Sequence, residues 1–390
     1  MTDITIFSQQ ADLALAAYAN LRQNMVDDEY IATLGFAGMS KSQATEFVKH
    51  WTVVDSVNFS LNGASATVFE NKETGVRYLV VRGTDPNLSG SIDALLADLP
   101  ILAGIPSFLN PQFLSLQGQV RSWIDSGVLP PDFSATGHSL GGYLAAAITS
   151  WNGSGTAYMY NSPGISSAIG NLYDVLKAVL GMENVPLVNN VYNFRSNEGI
   201  SITATLGAQL APPTYVQIEP SVGTGNHSML RLTDSLAVAA LFSELDPSLS
   251  VQGFIPLFQA ASADASASLE SLVNALGRLL LGDATAQVGT GNREDFYTVI
   301  TNIQVALQSL QEEGVGFTLT QIAGGSSMAS MARQNNADGM AYRYALIDGG
   351  AGNDWIAINS KAANACHISA RGRFYAIKLA VNEATWMLAA

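Results

Sequence analysis

The 390-residue chain holds a single cysteine, Cys366, so it can form no internal disulfide. That excludes a disulfide-stapled scaffold and a cysteine-rich zinc site. Charge is scarce as well: 13% of residues are charged, where about a quarter is ordinary. Basic charge is the scarcer sign, with 18 Lys and Arg against 32 Asp and Glu and a formal net charge of -14. This balance argues against nucleic acid or an anionic membrane surface as a partner held by charge. Long apolar runs are missing too. The most apolar stretch, Ala94 to Leu109, is too short to span a bilayer and is broken by Asp98, Pro100 and Pro106, so no integral membrane protein is expected. Met1 to Leu21 has no basic leading region and carries Asp3 and Asp12, unlike a secretory signal peptide. What is abundant is core material: 48% of residues are hydrophobic, in a chain long enough for two domains.

The first 50 residues read as helical, with an Ala/Leu-rich run from Ala11 to Leu21 and a polar start at Ser40. From Trp51 the period changes to β-branched and aromatic runs, separated by the turn pairs Asn62-Gly63 and Thr74-Gly75. The run Val76 to Val81 is apolar enough for a strand buried on both faces. Alternation follows. Strands are expected at Asp132 to Thr136, Thr156 to Tyr160, Asn190 to Phe194 and Tyr215 to Glu219, with helices at Leu140 to Trp151, Ile165 to Leu180 and Met229 to Leu245. This spacing predicts an α/β fold, with a mostly parallel central sheet and helices on both faces. The pattern stops near Asp246-Pro247. Residues 1–250 are expected to form the first domain. Residues 251–390 are expected to form a mainly helical C-terminal region, opened by two amphipathic helices, with residues 262–268 as a polar linker.

The strongest motif is Gly137-His138-Ser139-Leu140-Gly141-Gly142. It matches G-x-S-x-G in the context that gives the pattern meaning, a strand before it and a helix after it. A serine at the top of a sharp strand–helix turn is exposed to substrate, and the helix N-terminus puts unpaired N–H groups beside its hydroxyl. Serine is a weak nucleophile and needs a base. The histidines are His50, His138, His227 and His367. His138 belongs to the turn and His50 precedes the sheet core. In the chain order Ser, acid, His, the base follows Ser139. His227, in the loop Gly223 to Ser228 after the last strand, sits where a sheet-top histidine belongs, whereas His367 lies outside the alternating pattern. The carboxylates between Ser139 and His227 are Asp174, Glu183, Glu198 and Glu219. Asp174 reads as a solvated helix face, and Glu183 falls on a loop at the far end of the sheet. Glu198 follows a strand's C-terminal end, where a triad acid is held, and Glu219 is the alternative.

An oxyanion hole needs two preorganised donors. The Leu140 N–H is one candidate, and Thr84, in Arg82-Gly83-Thr84 after the buried strand, is the other. Residues 88–113 are long, apolar and broken by Pro and Gly, as in a segment that covers an apolar site. The same stretch reads equally as a helix packed on the sheet. Asp93 and Asp98 offer carboxylates to calcium, but their spacing also suits a plain helix face. No cofactor is required.

Val80 to Thr84, Thr136 to Gly142, Tyr160-Asn161-Ser162-Pro163-Gly164, Arg195-Ser196-Asn197-Glu198 and Asn226-His227-Ser228 together resemble the fungal-type (class three) triacylglycerol lipases and their bacterial relatives. The resemblance covers roughly residues 50 to 245. It implies an α/β-hydrolase fold and hydrolysis of lipid esters at lipid–water interfaces. It also implies Ser139 as nucleophile, His227 as base, and Thr84 with Leu140 as oxyanion donors. That family's acid is usually Asp, where this chain has Glu198. Gly349 to Asp354 is similar to a single RTX calcium-binding repeat, and one copy cannot stack into a β-roll. Such proteins are exported without an N-terminal signal, so an extracellular location by that route is expected, with the cytoplasm as alternative. The same triad would serve a carboxylesterase or a phospholipase A. A non-catalytic secreted interaction protein keeping the hydrolase fold is the rival from another class, and the intact Ser139 and His227 speak against it.

Overall fold

The computed structural model describes residues 3–83, 110–163, 190–198, 211–220, 226–245, 247–261, 268–281 and 288–312, and seven strands between Val315 and Ala389. The N-terminal helices are α1 (Asp3–Ala16), α2 (Asp27–Phe36) and α3 (Lys41–His50). The polar start read at Ser40 is a true N-cap, whose hydroxyl accepts the Gln43 N–H at 3.1 Å. The central sheet follows the order β1 (Trp51–Asn58), β2 (Ser65–Asn71), β3 (Arg77–Val81), β4 (Ser134–His138), β5 (Ala157–Tyr160), β6 (Val191–Ser196), β7 (Pro213–Val216). The first three strands pair antiparallel, and β3 to β7 pair parallel. Gly63 and Gly75 turn the two hairpins at φ +73° and +69°, a region that suits glycine. Leu79, Val80 and Val81 are fully buried, as the apolar run predicts for a strand covered on both faces.

Two helices, α4 (Pro111–Asp125) and α5 (Leu140–Asn152), flank β4 in sequence and cover one face. Their Phe113, Leu116, Trp123, Tyr143 and Leu144 close over Val68, Leu79, Val81 and Ala135. The alternate residues face α1. Thr136 Oγ1 lies 3.3 Å from the Gln10 carbonyl, and the Tyr160 hydroxyl donates to the Phe7 carbonyl at 2.6 Å. Period-two side-chain alternation thus puts helices on both faces of the sheet. Of the expected covering segment, Asn110 to Phe113 opens α4, with Asn110 accepting the Gln112 and Phe113 N–H groups. Residues 84–109, including Thr84, Asp93 and Asp98, lie outside the described residues, as do Asp174, Glu183 and the segment 349–354.

The chain divides into two compact units, Phe7–Thr233 and Asp234–Ala390 with Met1–Ile6. The division falls inside α6 (Met229–Leu245), earlier than the expected boundary near residue 250. In the second unit Asp234 is committed to a helix beyond that boundary. It accepts from Arg293 Nη2 at 2.7 Å and from the Tyr297 hydroxyl at 2.7 Å. The helices expected after residue 250 are present as α7 (Val251–Ala261), α8 (Ser268–Leu281) and α9 (Arg293–Glu312). The expectation of a mainly helical region ends there. From Val315 the chain forms β8 (Val315–Ile322), β9 (Ser326–Arg333), β10 (Tyr342–Asp348), β11 (Trp355–Ser360), β12 (Cys366–Arg371), β13 (Phe374–Ala380) and β14 (Ala384–Ala389). Five of them make an antiparallel sheet in the order β12-β13-β10-β9-β8, and β11 pairs with β14. Small residues hide one of these strands. Ser326–Arg333 reads SSMASMAR, with no β-branched or aromatic residue to mark its period. Among the described residues no helix is long and apolar enough to cross a membrane.

Candidate active site

The strand β4 ends at His138 and α5 begins at Leu140, which leaves one residue to reverse the chain. That residue, Ser139, has φ +56° and ψ -131°. A non-glycine residue held there costs on the order of 1–3 kcal/mol, so its surroundings must enforce it. The end of β5 does so. Ser139 N–H donates to the Tyr160 carbonyl at 2.9 Å, and the Ser139 carbonyl accepts from Ser162 Oγ at 2.9 Å. Glycine makes the turn possible. A Cβ on Gly141 would stand 2.3 Å from the Val81 carbonyl oxygen, and one on Gly137 would stand 2.4 Å from Gly141 C. The helix start therefore lies directly on the ends of β3 and β4, and Leu140, its first residue, has no intrahelical partner for its N–H. Mostly parallel sheet, helices on both faces and a strand–serine–helix turn together make the expected α/β-hydrolase arrangement.

Ser139 is 2% exposed, and its hydroxyl has no hydrogen-bond partner among the described residues. His227 is also buried, and its Nε2 is likewise without a partner among them. Desolvation lowers the His227 pKa to about 4, so the ring is neutral at neutral pH. Its backbone is held firmly. The His227 carbonyl accepts from His138 Nε2 at 2.8 Å, and the Asn226 carbonyl accepts from Ser196 Oγ at 2.8 Å and Asn161 Nδ2 at 3.3 Å. Asn161 has φ +45°, and its Oδ1 accepts the Ser196 N–H at 3.0 Å, so the ends of β5 and β6 together fix the histidine loop.

Glu198 is half-buried just past β6, where its Oε1 accepts from Gln217 Nε2 at 2.9 Å. Gln217 Oε1 in turn accepts from Asn197 Nδ2. Glu198 thus stands at the C-terminal ends of the parallel strands. Among the described residues no carboxylate is hydrogen-bonded to the His227 ring. Past β7, the Glu219 carbonyl accepts from Arg231 Nη1 at 2.8 Å. His50 lies on the surface between Glu46 and Glu73, and His367 lies on β12 of the other unit, opposite Lys378. The structure brings Ser139, Leu140 and His227 to one end of the sheet through His138, whose ring is 4.8 Å from that of His227 between centroids. Sequence reasoning gave His138, Tyr18, Asn161, Ser196 and Gln217 no role. Only Asn161 carried a signal, an Asn directly after a buried strand and before Ser-Pro-Gly. Among the described residues no group of three or more metal-ligating side chains is gathered.

No protein-family model matches the chain, and no curated protein matches its sequence. Several solved structures match about half of it. Lipase II from Rhizopus niveus is 15% identical over 52% of this chain and 74% of its own, with a TM-score of 0.34. A lipase from Rhizopus microsporus var. chinensis is 16% identical over 56% and 76%, with a TM-score of 0.35. The Rhizomucor miehei lipase, in complex with its propeptide, is 15% identical over 55% and 67%, with a TM-score of 0.36.

Proposed function

We propose that this chain is a serine hydrolase that cleaves carboxylic esters of lipids, of triacylglycerol lipase type, through an acyl-enzyme. The observation that carries this reading is the strained Ser139 at a strand–helix turn, its buried hydroxyl uncommitted, with a buried and neutral His227 tied by its carbonyl to the adjoining His138. Ser139 Oγ attacks the ester carbonyl carbon while His227 Nε2 takes the hydroxyl proton. The carbonyl oxygen becomes an oxyanion, held by the Leu140 N–H and by Thr84. The intermediate collapses, the C–O bond to the alcohol breaks, and His227 returns its proton to the leaving oxygen. Water then enters. His227 deprotonates it, the hydroxide attacks the acyl carbon, the bond from that carbon to Ser139 Oγ breaks, and His227 returns the proton to Oγ as the acid leaves. Glu198 is the carboxylate proposed to orient the imidazole and stabilise its charged form. No step needs a metal or cofactor.

The apolar character of residues 88–113, which follow Thr84 in the sequence, favours a lipid ester at an interface over a small polar one. The RTX-like Gly349 to Asp354 favours signal-independent export to the outside of the cell. The test is hydrolysis of p-nitrophenyl esters of increasing chain length, a triacylglycerol emulsion and a phospholipid, with wild type and Ser139→Ala. Activity on the emulsion that Ser139→Ala removes is the expected result. Activity on short esters alone, or on phospholipid alone, would move the assignment to a carboxylesterase or a phospholipase A. Equal activity in the two proteins would remove the mechanism.

A further inference from the structure

The residue between strand and nucleophile carries a second role, which rests on the reading of Ser139 and His227 above. His138 is buried, and both of its ring nitrogens are engaged. Its Nε2 lies 2.8 Å from the His227 carbonyl oxygen. A carbonyl only accepts, so Nε2 carries the proton and donates. In a neutral ring Nδ1 is then an acceptor, and the Tyr18 hydroxyl, 2.8 Å away, donates to it. Burial, with the neighbouring His227, holds the His138 pKa well below the usual histidine range, so the ring stays neutral. The other tautomer would set an acceptor against the carbonyl, and turning the ring over would put C–H groups where the nitrogens stand, so one tautomer and one orientation are fixed.

We propose that His138 is a positioning residue for the hydrolysis. It holds the base through the base's own main-chain carbonyl and is itself held by the Tyr18 hydroxyl. With Ser196 and Asn161 on the preceding carbonyl, three side chains grip the peptide groups on either side of His227. The space is fitted to Tyr18 as well. A Cβ on Gly83 would stand 2.6 Å from the Tyr18 hydroxyl and 2.5 Å from the His138 carbonyl oxygen. The grip also places a neutral ring against His227, so the imidazolium formed in turnover meets no second charge.

The experiment compares wild type, His138→Gln, His138→Leu and Tyr18→Phe. A lipid-like serine-directed phosphonate serves as the probe, and both the rate of Ser139 labelling and its final stoichiometry are read. Gln keeps an N–H donor at the reach of Nε2, and Leu keeps bulk without one. We expect full stoichiometry in all four. The labelling rate and kcat should fall on the order of a hundredfold in His138→Leu, with KM unchanged. They should stay within about tenfold of wild type in His138→Gln and fall about three- to tenfold in Tyr18→Phe. A merely structural role would instead lower the stoichiometry and leave the rate per labelled site alone. That result, or equal rates in Leu and Gln, overturns the proposal while the hydrolase reading stands. Should His138→Leu fail to fold, Tyr18→Phe decides, since an unchanged rate there overturns the hydroxyl-held grip. A wild-type protein that the phosphonate does not label at Ser139 overturns the hydrolase reading and this proposal together.

Discussion

The Ser139 side and the Glu198 side of the candidate site are built on opposite plans. Ser139 is placed by backbone. One residue reverses the chain, glycines at 83, 137 and 141 allow strands and helix to touch, and the Tyr160 carbonyl fixes the turn. The Glu198 carboxylate is held by side chains, in a chain of amides from Asn197 through Gln217. A site set by backbone permits almost no substitution but is rigid. A site set by long side chains is adjustable, because each torsion adds freedom. The difference teaches where to look for variation in the proposed triad: the acid, where Glu replaces the Asp of the resembling family, rather than the serine.

Substitutions can break or sharpen this contrast. The largest effect is expected at the rigid side, where Ser139→Ala and His227→Ala should each cost about a millionfold in kcat, because the two act as a unit. Active-site titration alongside ester hydrolysis checks it, and a variant retaining substantial turnover would break the pair. Glu198→Gln should be milder, about ten-thousandfold, as in triads where the carboxylate only orients and stabilises the imidazole. If Glu219→Gln is the crippled variant instead, the acid follows β7 and not β6.

Acid should weaken the fold by way of the buried rings. The folded His227 pKa is about 4, below the ordinary 6.5, so between those values the unfolded chain binds a proton that the native protein does not. Stability from this ring is therefore complete above about pH 6.5 and falls by roughly 3 kcal/mol as pH drops to about 4. His138, shifted the same way, adds to the loss. Urea midpoints at about pH 7 and about pH 4.5 measure the slope, and it should flatten in a His138→Gln, His227→Gln double variant. The smallest effects belong to Glu219→Gln and His367→Ala, both expected within a few-fold of wild-type activity.

What was legible in the sequence was what is local. Gly137 to Gly142 specify their turn within six residues, and the helix Met229–Leu245 is readable from its nearly unbroken run of Leu, Ala and other apolar residues. The hairpins of β1 to β3 announced themselves by Asn62-Gly63 and Thr74-Gly75. Hidden were partnerships between residues far apart in the chain, such as Gln217 with Glu198 or His138 with His227, which no spacing rule joins. Hidden too was β9, whose small side chains carry neither the helical nor the extended period strongly.

The contact from Tyr18 to His138 spans 120 residues and that from His138 to His227 another 89. Its consequence is one of timing. Loops that long close late, after the local hairpins and helices have formed. On the ribosome, the strained serine turn can assemble while the base is still unsynthesised. A nascent chain that exposes its nucleophile thus lacks the group that would arm it until nearly the whole sheet unit has emerged.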